Sequence, residues 1–188
     1  MSAADIYLPR KLWTRADVEK IDPAMAETLE LIKGELIDRM GKKPPHVLWK
    51  MRLAKWLRQQ FGEDCVRTED PIDVAPEDNP TNEPEPDIAV TDQPISVTGG
   101  INPKPADLRL VVEVSDTTYQ LDRKVKADLY ARAGIREYWI VDVRVPGTPR
   151  LLIHREPQTG SYRVVNTYPL AATIEVLDGK RLCLQHLL

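Results

Sequence analysis

The chain has 188 residues, 29% charged and 42% hydrophobic, with a formal net charge of -3. That balance fits one globular domain with a sizeable core and excludes a disordered chain, and no apolar run approaches the ~20 residues that span a bilayer. The acidic excess argues against a surface devoted to gripping nucleic acid, so any such contact has to come from a local basic patch.

The N-terminus carries Asp5, Arg10, Lys11 and Arg15 without an apolar segment, which is not the pattern of a signal peptide. The expectation is a cytoplasmic protein whose Cys65 and Cys183, lacking metal-ligand spacing, stay reduced as small core residues. Residues 1 to 28 read as a helical or irregular lead-in. Leu29 to Ile32, then Lys33-Gly34, then Glu35 to Met40 read as a hairpin with a glycine-containing turn. After the Pro44-Pro45 break, His46 to Phe61 reads as a helix with Trp49, Leu53, Ala54, Leu57 and Phe61 on one stripe, ended by Gly62.

Two strands follow, Cys65 to Val74 and Asp87 to Thr91, separated by an acidic, proline-rich loop from Ala75 to Glu85. Pro94 to Pro105 is a second loop. Leu108 to Val114 is an apolar strand, Tyr119 to Ala133 a helix and Glu137 to Val143 another buried strand. Leu151 to His154 and Tyr162 to Val165 form a hairpin, and Ile174 to Leu177 with Arg181 to Leu184 a last one. The order predicts an α/β (α+β) domain spanning 1–188. Its core, about 27–143, is a central mixed sheet flanked by helices, with extra N- and C-terminal hairpins and a β extension over 148–188.

Two carboxylates stand where acid is out of place. Asp87 leads directly into Ile88-Ala89-Val90, and Glu113 interrupts the run Leu110-Val111-Val112-Glu113-Val114. A carboxylate in an apolar strand is costly to desolvate unless a cation or hydrogen bonds compensate. On a helical wheel Leu121, Val125, Leu129 and Ala133 form the buried stripe of the second helix, with Asp122 and Lys126 on or beside it and Lys124 opposite. Two carboxylates and one inward lysine are what metal-assisted phosphodiester hydrolysis requires. Plainer accounts stand beside this one: an i,i+4 pair between Asp122 and Lys126, Asp87 as a strand-start residue, and a buried ion pair of Glu113 with Arg109 or Lys126. His46 reads as a cap or packed residue, Glu30 or Glu35 could face the same site, and His154 and His186 read as structural.

These residues resemble the PD-(D/E)xK nuclease superfamily, the restriction-endonuclease-like fold, and within it a large bacterial family grouped with restriction endonucleases. The likeness runs through Leu29 to Leu36, the His46 helix, Glu83 to Val90, Leu110 to Ser115, Asp122 to Tyr130 and Ala133 to Asp142. In the simplest superfamily motif the lysine stands two residues after the second acid, where this chain has Ser115. The resemblance therefore implies a lysine that has moved to the following helix, and the wheel independently selects Lys126.

The resemblance implies catalytic Asp87, Glu113 and Lys126, with Asp87 and Glu113 holding Mg²⁺ or Mn²⁺ and DNA as the substrate. Backbone contacts would come from among Arg52, Lys55, Arg58, Arg123 and Arg132. Cutting both strands makes a homodimer plausible, and no membrane association is expected. The alternative is an inactive nucleic-acid or protein-binding module on the same fold.

Overall fold

The structure, a computed structural model, describes residues 11–39 and 41–188. The stretch read for a leader, with Asp5 and Arg10, and Met40 at the end of the first hairpin lie outside the described residues. Two single-turn helices come first: α1 (Arg15–Val18), capped reciprocally by Thr14 and Asp17, and α2 (Pro23–Ala26), capped by Asp22. They lead into the antiparallel pair β1 (Leu29–Ile32) and β2 (Glu35–Asp38), with Leu31 opposite Leu36. Lys33 and Gly34 take φ of 50° and 73°, a two-residue turn whose twist matches the strands.

The next helix, α3 (Pro44–Phe61), starts ahead of the expected His46, because Pro44 and Pro45 occupy its first turn, where no amide donor is needed. Of the anticipated stripe, Trp49, Leu53, Ala54 and Leu57 are buried, and Phe61 at the helix end is half-buried against the same core. Gly62 at φ 99° ends the helix.

The expected strand from Cys65 to Val74 shrinks to β3 (Val66–Arg67). Glu69 adopts a φ of 55°, Pro71 has no amide, and the amides of Ile72 and Asp73 donate to the carbonyls of Pro84 and Pro103. Next come β4 (Ile88–Thr91), the short α4 (Ile95–Thr98) inside the anticipated loop, and β5 (Leu108–Ser115). The second long helix begins with a π-helical stretch, Leu121–Lys126, closed by the Ala127 amide on the Asp122 carbonyl, and continues as α5 (Ala127–Arg132). The remaining strands are β6 (Glu137–Asp142), β7 (Arg150–Gln158), β8 (Ser161–Pro169), β9 (Ile174–Glu175) and β10 (Arg181–Leu182).

Six strands make one mixed sheet in the order β3-β4-β5-β6-β7-β8. Only β5 and β6 pair in parallel, and the helical segment between them supplies the crossover such a pair needs. The β7–β8 hairpin extends this sheet, whereas β1–β2 and β9–β10 are separate two-stranded pairs.

Strand alternation sorts the core into two layers. Ile88, Val90, Val112, Val114, Trp139 and Val141 pack on the α3 side, and Ala89, Val111, Tyr138 and Ile140 on the α5 side. Each fully buried large apolar side chain contributes on the order of 1.5–3 kcal/mol. The α3 layer carries no acid from β5. By the same alternation Asp87 shares a face with Ala89, and Glu113 with Val111, so both acids emerge on the α5 side.

Candidate active site

Asp87 sits immediately before β4 and is 4% exposed, so its charge depends on protein partners. The Val114 amide donates to Oδ2 at 2.8 Å. Oδ1 lies 2.9 Å from His46 Nε2 and 2.9 Å from Lys42 Nζ. Burial works against the carboxylate, but His46, Lys42 and the Val114 amide outweigh it and hold Asp87 well below the usual range.

Glu113 lies on the same face one strand away. Lys126 Nζ donates to Glu113 Oε1 at 2.8 Å and lies 2.7 Å from Glu30 Oε1, while Tyr130 donates its hydroxyl to Glu113 Oε1 at 3.2 Å. Glu30 Oε1 also accepts the Glu85 amide at 2.8 Å, which ties β1 to the loop ahead of Asp87. Burial pushes Glu113 up to about 8; Lys126 pulls it down, and Asp122, Asp87 and Glu30 add to the rise. Burial alone would lower Lys126, but Glu113, Glu30 and Asp122 outweigh it and keep the group an ammonium. One ammonium thus faces several acids, and that surplus of acid adds to burial in driving Glu113 towards its protonated form.

Asp122 does not form an ion pair with Lys126. Its Oδ2 instead accepts the hydroxyls of Ser115 at 2.6 Å and Thr118 at 2.7 Å. Burial raises its carboxyl, opposed by Lys126 and by those two hydroxyls. Ser115, at the position of the simple-motif lysine, therefore orients a buried acid. The buried line of this helix runs through Asp122, Lys126 and Tyr130, and the expected stripe members Leu121 and Val125 are only half-buried. The polar line turns inward because Ser115, Glu113 and Glu30 await it there. Lys124 is exposed, as the wheel required.

Asp87, Glu113 and Lys126 line one cleft of about 90 Å³ together with Glu30, Lys42 and His46. From the sequence His46 reads as a cap or packed residue and Glu30 and Glu35 as alternatives, and nothing there singles out Lys42. Glu30 lines the cleft, and Glu35 lies opposite Ile32 at the turn end of the hairpin. Arg109 pairs with Asp178 and Asp92, not with Glu113. Arg58 pairs with Glu63, Arg132 with Asp78, and Arg52 with the Leu188 carbonyl. Arg123 and Lys55 are exposed. Cys65 is half-buried and Cys183 buried, both free; His154 is buried and His186 exposed.

Among the described residues no group of three or more His, Cys, Asp or Glu side chains is arranged to hold a metal ion. The donor chemistry present is a carboxylate pair beside an open cleft with seven carboxyl side chains against four Lys and Arg cations in its lining. That fits Mg²⁺ or Mn²⁺, hard cations held by one or two carboxylates with water and phosphate oxygens completing the shell.

A mixed sheet between helices, with an acid at the start of one strand, an acid inside the next and an ammonium from the crossover helix, defines a protein of the restriction-endonuclease-like class. The chain belongs to the Uma2 family, whose model, described as "Putative restriction endonuclease", matches residues 16–182. It is also similar in fold to a solved structure, a "putative nuclease belonging to DUF820" from Anabaena variabilis ATCC 29413. The TM-score is 0.66 at 14% identity, over 93% of this chain and 96% of that one. No curated protein matches the chain. Among the described residues no helix is long and apolar enough to cross a membrane.

Proposed function

We propose that this protein is a divalent-metal-dependent endonuclease that hydrolyses DNA phosphodiester bonds in the cytoplasm. The observation that carries the reading is Lys126, a buried ammonium between Glu113 and Glu30 in the cleft that Asp87 also lines. Such a lysine has no structural need of a solvent-open acidic cleft, whereas hydrolysis of a phosphate anion uses both. Asp87 and Glu113 would hold Mg²⁺ or Mn²⁺, which supplies a more acidic bound water and neutralises charge on the phosphate.

The chain's own groups divide the remaining work. The Lys126 ammonium has no lone pair for a proton, so it acts by donating to a phosphate oxygen or to the attacking water, and not as a general base. Glu30 and Tyr130 fix its position and that of Glu113. His46 and the Val114 amide orient Asp87. The cleft, about 90 Å³, is small and open to solvent, and a DNA strand would lie across its mouth with one phosphate directed inward. A second copy would supply the second cut of a duplex.

The test is incubation of the purified protein with supercoiled plasmid and Mg²⁺ or Mn²⁺. Nicking or linearisation is expected, with Asp87→Asn, Glu113→Gln and Lys126→Met each inactive yet folded. Intact plasmid with either metal, or cleavage undiminished in all three variants, would reject the reading. A second reading, a metal-free binding module, draws on the saturation of Asp87 Oδ1 by His46 and Lys42. It predicts DNA retention that EDTA leaves unchanged.

A further inference from the structure

Lys42 stands at the rim of the cleft, just ahead of α3, with its ammonium shared between two acids. Nζ lies 2.9 Å from Asp87 Oδ1 and 2.5 Å from Glu69 Oε1. Asp87 is the deeper partner, with its side chain 5% exposed against 36% for Glu69. Glu69 is fixed from the far side by Lys50, whose Nζ lies 2.6 Å from Oε2, and its backbone holds a φ of 55°. Lys42 and Glu69 also both line an adjoining depression outside the main cleft. The lysine therefore has a buried acid on one side and a second acid with open space on the other.

From this geometry, and resting on the functional reading above, we infer that Lys42 is a tethered stand-in for the divalent ion on Asp87. It neutralises the buried carboxylate in the metal-free protein, leaves Asp87 when the ion arrives, and is then held at the rim by Glu69. The argument is one of valence and space. An ion bound at Asp87 Oδ1 and an ammonium 2.9 Å from the same oxygen are like charges competing for one lone pair. His46 approaches that oxygen too, but it is itself buried and fixed in the first turn of α3, whereas Lys42 precedes the helix and already contacts its alternative partner. Affinity for the ion is then set by exchange of one cation for another, with Glu69 lowering the cost of the exchange.

Calorimetric titration of Mn²⁺ into the full chain, without DNA, tests this. Lys42→Met should bind Mn²⁺ roughly tenfold tighter or more, since a charge-assisted hydrogen bond to the competing ammonium is gone. Glu69→Gln, a change at a half-exposed side chain that the fold tolerates, should bind it severalfold more weakly, because the displaced ammonium loses its second site. Damage to the fold only weakens binding, so a gain in Lys42→Met cannot arise that way. Mn²⁺ binding to Lys42→Met that is no tighter than binding to the wild type overturns the inference and leaves the nuclease reading standing. No Mn²⁺ binding by wild type or by Lys42→Met overturns both.

Discussion

Lys126 Nζ lies 2.8 Å from Glu113 Oε1 and 2.7 Å from Glu30 Oε1, so one ammonium from the crossover helix joins the central sheet to the β1–β2 pair. All three residues are 4% exposed, which leaves solvent little part in screening them. Removing the cation strands two acids. Lys126→Met should cost about 3–5 kcal/mol near pH 8, the usual range for breaking a buried pair by deleting one partner. At pH 5 Glu113, which burial raises to about 8, holds a proton, and the loss should shrink. Urea unfolding at the two pH values measures the difference; equal losses would contradict the ion-pair account.

The two acids should respond oppositely to amide substitution. Glu113, pushed up to about 8 from its ordinary value of 4.5, binds a proton in the folded state over a range where the unfolded chain has lost it. Its contribution to stability is full below pH 4.5 and lost as pH rises through about 8. Glu113→Gln, which mimics the protonated side chain, should cost under about 1 kcal/mol at pH 7 and leave the metal-free protein more stable than wild type at pH 9. Asp87 is held down, so its contribution is present above 3.8 and lost in acid. Asp87→Asn loses the charge that Lys42 and His46 face and sets an NH2 donor against either that pair or the Val114 amide, and should cost roughly 2–3 kcal/mol at pH 7. Thermal melts in EDTA across pH give both curves, and parallel curves for the two variants would refute the assignment.

How much of this was legible beforehand depends on the range of the interaction. Strand alternation and one misplaced acid per strand identified Asp87 and Glu113, because burial of charge leaves a local mark in sequence. The wheel identified Lys126 over Lys124 for the same reason. Glu30, His46 and Lys42 left no such mark. Glu30 reaches the cleft from a hairpin, Lys42 from a loop and His46 from the first turn of α3, and the docking of each is set by tertiary contacts, as in the Glu85 amide bond to Glu30. The strand expected from Cys65 to Val74 failed because the amides of Ile72 and Asp73 are satisfied on proline carbonyls of two loops and that of Val74 on the Asn79 side chain, pairings no periodicity encodes. The Asp122–Lys126 pair failed because Ser115 and Thr118 are better placed for Asp122 and two other acids for Lys126.

His154 carries a prediction away from the cleft. It is 4% exposed, its Nδ1 has no partner among the described residues, and its ring sits 5.2 Å from that of Tyr138 and 5.7 Å from that of Tyr162. Burial lowers it from 6.5 to about 4; its bond with the Tyr138 backbone opposes that shift and the Arg123 charge adds to it. The unfolded chain therefore takes a proton between pH 6.5 and 4 that the folded protein refuses, and stability falls as pH falls through that window. The loss from this residue is on the order of 3 kcal/mol at its limit. His154→Phe keeps a ring in the aromatic cluster and cannot titrate. Its unfolding free energy should decline less between pH 7 and pH 4.5 than that of wild type, and an identical decline would assign the acid sensitivity elsewhere.

Contact with DNA should follow the cleft and not the helix faces. Lys43 is 58% exposed at the cleft wall, 3.1 Å from Asp116, and next to Lys42. Arg58 and Arg132 are already paired, with Glu63 at 3.2 Å and Asp78 at 3.0 Å. A phosphate arriving over the cleft meets Lys43 before any of the helix arginines named from the sequence. Lys43→Ala should weaken binding of a labelled duplex and reduce the slope of log affinity against log salt by about 1, the loss of one phosphate contact. Arg58→Ala and Arg132→Ala should leave the slope unchanged. Anisotropy titrations in Ca²⁺ over a series of KCl concentrations measure all three. A reduced slope in Arg58→Ala with none in Lys43→Ala would move the duplex off the cleft mouth and onto α3, away from the acids proposed to cut it.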